Sequence, residues 1–172
     1  MVSRFIHVNV NCADLDRSVR FYTEVLGGRV HQMMDSGGVD LRPCMGVGAA
    51  GAPHFRSALV YFGDARGGPY IDLVEWHYEN GSTERRKGRP ALEAQDWGLV
   101  RVALEVPDLQ EAYEKVSASG AEVVGPPQHE QLGPWRMKLF LCKDPDGVLL
   151  ELVEFPEGTR RDHPQHVAAD RA

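Results

Sequence analysis

The chain repeats itself once, and this repeat limits the folds open to it more than any other feature. Ala13-Asp14-Leu15 is matched by Pro107-Asp108-Leu109, and Ile71-Asp72-Leu73-Val74-Glu75 by Leu150-Glu151-Leu152-Val153-Glu154. A repeat has to be recognised before single elements are read, because missing it misassigns the fold. Two copies are too few for a solenoid, so the expectation is two similar modules paired side by side.

Each copy reads as β-α-β-β-β. Residues 4–11 alternate, with Ile6, Val8 and Val10 on one face and His7, Asn9 and Asn11 on the other, the pattern of a half-buried strand. Asp14 is the expected helix N-cap, Leu15, Val19, Tyr22 and Leu26 recur at helical spacing, and Gly27-Gly28 ends the helix. Strands are predicted at 29–34, 56–62 and 70–76, the first followed by a glycine-rich loop over 36–53. The second copy gives a strand at 99–106, a helix from Pro107-Asp108-Leu109 through Ser117 to Gly120, and strands at 121–124, 137–142 and 148–155. Asp144-Pro145-Asp146-Gly147 is a turn, since Pro145 presets its own φ and Gly147 tolerates a positive one. The predicted class is α+β. Residues 1–78 form the first module, 79–97 a polar linker, 98–155 the second module and 156–172 a polar tail, with one structural domain overall.

Composition removes several function classes. With 42% apolar and 26% charged residues the chain reads as a soluble globular protein. A net charge of −6 argues against a nucleic-acid surface, and the basic run Arg85-Arg86-Lys87-Gly88-Arg89 lies in a polar stretch and reads as solvated linker. No run approaches the roughly 18 apolar residues of a membrane span, and the first residues lead into a strand and not a signal-peptide core. Cys12, Cys44 and Cys142 are odd in number and lack C-x-x-C spacing. They point to a reducing cytoplasm and away from a disulfide framework or structural zinc.

The chemistry concentrates on Glu151, flanked on its own strand face by Leu149 and Val153. A carboxylate in such a setting costs several kcal/mol unless a metal ion, a cationic side chain or a proton compensates it. Glu75 and Glu154 fall on the opposite strand face and read as surface or helix-contacting groups. Tyr61, Tyr70, Trp76, Met137 and Leu139 are candidate cavity-wall residues, with Trp135 and Arg136 just before a wall strand. The loop over 36–53 lacks the strand-turn-helix setting of a phosphate loop and is a candidate lid or dimer contact. His163 and His166 in the tail read as solvent-facing.

The paired modules, an opening strand with His7 before the helix pattern x-D-L-x-R-S-x-x-F-Y-x-x-V-L-G, and the closing D-P-D-G-x-x-x-E-L resemble the vicinal oxygen chelate superfamily. Its members include glyoxalase I, methylmalonyl-CoA epimerase, extradiol dioxygenases, fosfomycin-inactivating enzymes and bleomycin-sequestering proteins. The resemblance implies that each module curls into a half-barrel of mixed sheet with its helix outside, the two making a cavity. It also implies four metal-ligand positions, which fall on His7, Asp72, Arg101 and Glu151. His7, Asp72 and Glu151 suit a divalent Fe, Mn, Ni, Co or Zn ion, although Asp72 is one methylene shorter than the family's usual Glu. Arg101 stands where the metal-dependent members most often carry His. A guanidinium has no acceptor atom and keeps its charge at any relevant pH. Two like unit charges about 4 Å apart repel by roughly 4 kcal/mol even at an effective dielectric near 20. Arg101 therefore either swings away from the site or replaces the metal by closing an ion-pair network with Asp72 and Glu151.

Two functions follow from the resemblance. One is an isomerase, lyase or epimerase acting on an oxygenated small molecule, with Glu151, His7 and Arg101 catalytic and Tyr61, Tyr70, Trp135 and Met137 lining the substrate pocket. In a metal-free site, His7 suits general acid/base work. The other is a metal-free protein that sequesters an apolar or aromatic compound. Extradiol dioxygenase chemistry ranks last, because it needs two histidines and a carboxylate on iron. A small-molecule ligand and a homodimer are expected, with no nucleic-acid or membrane partner.

Overall fold

The computed structural model describes residues 2–37, 54–64, 69–77, 95–132 and 135–156. The chain divides into two compact units, Met1–Ala91 with Pro145–Gly147, and Leu92–Asp144 with Val148–Ala172. The predicted class holds, since each unit carries a mixed four-stranded sheet with a helix on one face.

In the first unit, β1 (His7–Asn11), α1 (Leu15–Arg20), β2 (Arg29–Asp35), β3 (His54–Tyr61) and β4 (Tyr70–His77) follow in chain order. The sheet order is β1-β4-β3-β2, with β1 parallel to β4 and the other pairs antiparallel. Asp14 caps α1 as expected, accepting from the Arg17 N–H at 2.9 Å. The helix runs on as a π-helical turn over Phe21–Val25. It stops where Gly27 turns to φ +76° and the Gly28 N–H reaches back to the Tyr22 carbonyl at 2.9 Å. Leu15, Ser18 and Tyr22 bury completely against the sheet face carrying Val10, Ala58, Val60 and Leu73. The Pro145–Gly147 turn belongs to this unit, and Asp146 seals the start of α1. Its carboxylate accepts from Ala13 N, from a terminal nitrogen of Arg17 and from Ser18 Oγ, each at 2.9 Å.

The second unit repeats the plan with β5 (Arg101–Glu105), α2 (Leu109–Ala118), β6 (Gln128–Leu132), β7 (Trp135–Lys143) and β8 (Leu149–Glu154), in the sheet order β5-β8-β7-β6. Asp108 caps α2 through the Glu111 N–H at 3.0 Å, the counterpart of Asp14. Tyr113 meets Phe140 edge-on at 5.4 Å, which places α2 on the face of Phe140, Leu150 and Leu152. One predicted strand is corrected. Residues 121–124 make an isolated bridge, Val123 to Cys142, and the edge strand is the polar Gln128–Leu132. An edge strand bonds on one side only and tolerates polar side chains, so its hydrophobic pattern is weak. The apolar run before it read as the strand instead.

The loop over 38–53, the polar stretch with Arg85, Arg86, Lys87 and Arg89, and the tail with His163 and His166 lie outside the described residues. Cys12 and Cys142 are buried and form no disulfide among the described residues, and burial pushes the Cys142 thiol up to about 12. Among the described residues no helix is long and apolar enough to cross a membrane.

Candidate functional site

Strand pairing decides which side chains share a face. In the first unit His7 lies beside Tyr70, Asn9 beside Asp72, and Leu59 beside Asp72 on the other side. These side chains occupy the face away from α1, because Val10 and Leu73, one residue on, pack against the helix. Asp72 is buried, with 7% of its surface exposed, and accepts from Asn9 Nδ2 at 3.3 Å. Among the described residues its second oxygen has no hydrogen-bond partner. Burial raises the Asp72 carboxyl above the usual carboxylate range. The His7 imidazole, Ser57 and Asn9 oppose that rise. Ser57, fully buried, acts from nearby without a well-formed hydrogen bond.

Tyr61 and Tyr70 are buried on the same face, and the His31 ring lies over them. It stacks on Tyr70 with centroids 5.1 Å apart and meets Tyr61 edge-on at 6.4 Å. A register shift between Val30 and Gln32 marks a bulge at His31. The sequence reading passed over His31. Counting in twos from Arg29 would have placed it on a common face with Arg29, but nothing local says that two tyrosines from later strands complete that face.

In the second unit, Arg101, Ala103 and Glu105 of β5 share the face away from α2 with Glu151 and Val153 of β8. Arg101 Nε donates to Glu151 Oε2, forming an ion pair in which the carboxylate is largely buried and the guanidinium half exposed. Beside it opens a cavity of about 470 Å³ lined by Ala103, Leu104, Glu105, Met137, Glu151, Val153 and Phe155. Met137, a candidate wall residue from the sequence, is among the residues lining this cavity. Trp135 opens β7, and its side chain lies outside the described residues.

Of the carboxylates on the opposite faces, Glu154 contacts a helix, while Glu75 is buried within its sheet and is not a surface group. Glu154 accepts the Leu109 N–H at the start of α2 at 2.8 Å and Lys138 Nζ at 2.7 Å. These bonds, Lys138 first and then Leu109, hold its carboxyl below the usual range. Glu75 lies 3.6 Å from Arg56 and 3.5 Å from His77.

The donor set does not fit a four-ligand divalent site. Glu151, one of the expected ligands, already holds a guanidinium, and the position diagonal to it supplies a cation. Among the described residues no three His, Cys, Asp or Glu side chains converge as metal ligands.

Two curled mixed sheets, each with a D-L helix start and a strand in which an acidic residue precedes leucine (Asp72-Leu73 and Glu151-Leu152), define a class of fold, and the family can now be given. Residues 4–152 match the family model of the Glyoxalase/Bleomycin resistance protein/Dioxygenase superfamily, and the chain belongs to that superfamily. It is 30% identical to the 2-epi-5-epi-valiolone epimerase of an Actinomyces species over 156 residues, covering 88% of this chain and 79% of the relative. It is 25% identical to the probable lactoylglutathione lyase of Vibrio parahaemolyticus over 154 residues, covering 88% of this chain and 90% of the relative. Among solved structures, a glyoxalase family protein from Bacillus cereus shares the fold with a TM-score of 0.71 at 21% identity, over 90% of this chain and 95% of that one.

Proposed function

We propose that the chain is an isomerase, epimerase or lyase acting on an oxygenated small molecule through the Arg101–Glu151 pair, without a metal ion at the family's ligand positions. The observation that carries this reading is the ion pair on the rim of an apolar cavity. Its volume lies within the range of small-molecule sites, roughly 300–1,000 Å³. Removing a proton α to a carbonyl sends the C–H electron pair onto the carbonyl oxygen, and that oxygen needs a fixed positive donor. Arg101 spends its Nε on Glu151 and keeps its terminal N–H groups for such an oxygen. Glu151, one of the two carboxylates that line the cavity, is the base in this reading. Return of the proton to the other face of the carbon gives an epimer, and return to the neighbouring carbon gives an isomer. A relative named as an epimerase and several named as lactoylglutathione lyases support this class.

The apolar walls Ala103, Leu104, Met137, Val153 and Phe155 favour a second reading, binding without turnover. Exchange of the α-proton for deuterium, followed by NMR across a panel of α-hydroxyketones in D2O, separates the two. The enzyme reading expects exchange that Arg101→Ala abolishes. Saturable binding with no exchange across the panel supports sequestration. A second measurement tests the metal. Arg101→His should gain a transition ion, because the repulsion of a divalent ion, roughly 8 kcal/mol at about 4 Å and an effective dielectric near 20, is removed. Wild-type protein holding a transition ion that Glu151→Ala releases would sink the metal-free part of the proposal.

A further inference from the structure

The cavity beside the Arg101–Glu151 pair is not evenly charged. Its lining holds two carboxylates, Glu105 and Glu151, and among the described residues no Lys, Arg or His. Arg101 already gives its Nε to Glu151. Glu105 marks the other end. It stands four residues along β5 from Arg101 on the same face, so the two Cα atoms are about 13 Å apart at a rise of about 3.3 Å per residue. A third carboxylate, the exposed Glu130 of β6, lies directly opposite Met137. The cations of β7 do not offset these groups. Arg136 and Lys138 alternate onto the opposite face, where Lys138 Nζ bonds Glu154 at 2.7 Å. Lys143, at the far end of the strand, bonds Glu122 at 2.7 Å.

We propose that the cavity takes an oxygenated molecule whose end remote from the reacting oxygen is a cationic amine, and that Glu105 selects this end. The proposal rests on the reading of Arg101 as the group that holds the ligand's oxygen. With that oxygen at Arg101, the rest of the ligand runs along the walls formed by Ala103, Met137 and Val153 and ends at Glu105. A cation there meets the Glu105 carboxylate and the ring of Phe155, which also lines the cavity; aromatic faces attract cations. A carboxylate accepts at two oxygens, so an ammonium group joins Glu105 alongside any donor it already serves. A phosphate or carboxylate at the same place is repelled by Glu105, and Glu130 adds to that field. Selection of this kind comes as much from repelling the wrong ligand as from attracting the right one.

The test uses the full, untagged chain and three α-hydroxyketones whose six-carbon chain ends in a hydroxyl, a trimethylammonium or a phosphate group. Calorimetry reads binding, and deuterium exchange at the α-carbon reads turnover separately. The trimethylammonium ketone should bind about threefold to fivefold more tightly than the hydroxyl ketone, the range of an exposed ion pair. The phosphate ketone, with nearly two negative charges, should bind about tenfold more weakly than the hydroxyl ketone. Glu105 is exposed, so replacing it does not disturb the core. Glu105→Gln should bring the three affinities within about twofold of one another, and Glu105→Lys should reverse their order. Added salt should narrow the spread in the wild type. An order that Glu105→Gln leaves unchanged, a phosphate ketone bound most tightly by the wild type, or no binding of any of the three would overturn the proposal. Ordered binding without exchange would uphold it and count against the enzyme reading. Exchange with equal binding of all three would overturn it and leave the enzyme reading standing.

Discussion

Asp146 offers the sharpest test of how the turn is built. Replacing it with Ala removes three hydrogen bonds of 2.9 Å at once, and their values differ because their surroundings differ. Ser18 is fully buried, so its Oγ is left without this acceptor and away from water, at a cost of about 1–3 kcal/mol. The Ala13 N–H lies just ahead of α1, where losing a capping acceptor costs about 0.5–2 kcal/mol. Arg17 is 44% exposed along its side chain, and its share is at most about 1 kcal/mol. The sum, about 2–5 kcal/mol, is a large part of the 5–15 kcal/mol that holds a typical domain. Urea denaturation of wild type, Asp146→Ala, Ser18→Ala and the double variant measures it. Asp146→Ala should lower the midpoint at unchanged slope. The double variant should be less destabilised than the sum of the singles, by about 1 kcal/mol or more, because both partners of the buried bond are then gone. Strict additivity, or a loss under about 1 kcal/mol for Asp146→Ala, would refute the reasoning.

The remaining predictions concern the second helix and the first helix stop. Glu154 has a depressed carboxyl, so the stabilisation it gives is complete above its ordinary value of 4.5 and is lost as pH falls through the lower folded value. Glu154→Gln should therefore cost about 1–2 kcal/mol at neutral pH, with the difference from wild type shrinking on acidification. A pH series of thermal melts checks this, and a gap that widens in acid contradicts it. At the end of the first helix, a Cβ on Gly28 would stand 2.7 Å from the Tyr22 carbonyl oxygen and from Val60 Cγ1, whereas one on Gly27 meets nothing within 4 Å. Gly28→Ala should cost about 1–3 kcal/mol through overpacking. Gly27→Ala, strained by its φ of +76°, should cost about 1 kcal/mol. The reverse order in thermal denaturation would show that backbone strain outweighs crowding there.

Local patterns carried much of the molecule. Asp14 and Asp108 cap the two helices as their spacing suggested, because capping depends on residues within one turn. The alternation of His7, Asn9 and Asn11 against Val8 and Val10 correctly separated the two faces of β1. The same counting put Glu75 and Glu154 opposite Asp72 and Glu151, and Glu154 does contact a helix. Polar β6 was missed, since an edge strand is written in backbone pairing and not in side-chain character.

Other features depend on contacts between residues far apart in the chain. The sequence showed that Glu151 needed a partner and offered three candidates. The pairing of β5 with β8 brought Arg101 to it. Asp72 found Asn9 and a buried oxygen without a described partner, an outcome of sheet register that no local pattern encodes. The stack of His54 on His77 has the same origin, two ordinary-looking histidines 23 positions apart set face to face by an antiparallel register. Asp-Pro-Asp-Gly announces a turn through the φ values of proline and glycine, which are local. That its second aspartate closes the first turn of a helix more than a hundred residues away was decided by the tertiary fold alone, because only packing brings a buried serine and a free N–H to that carboxylate.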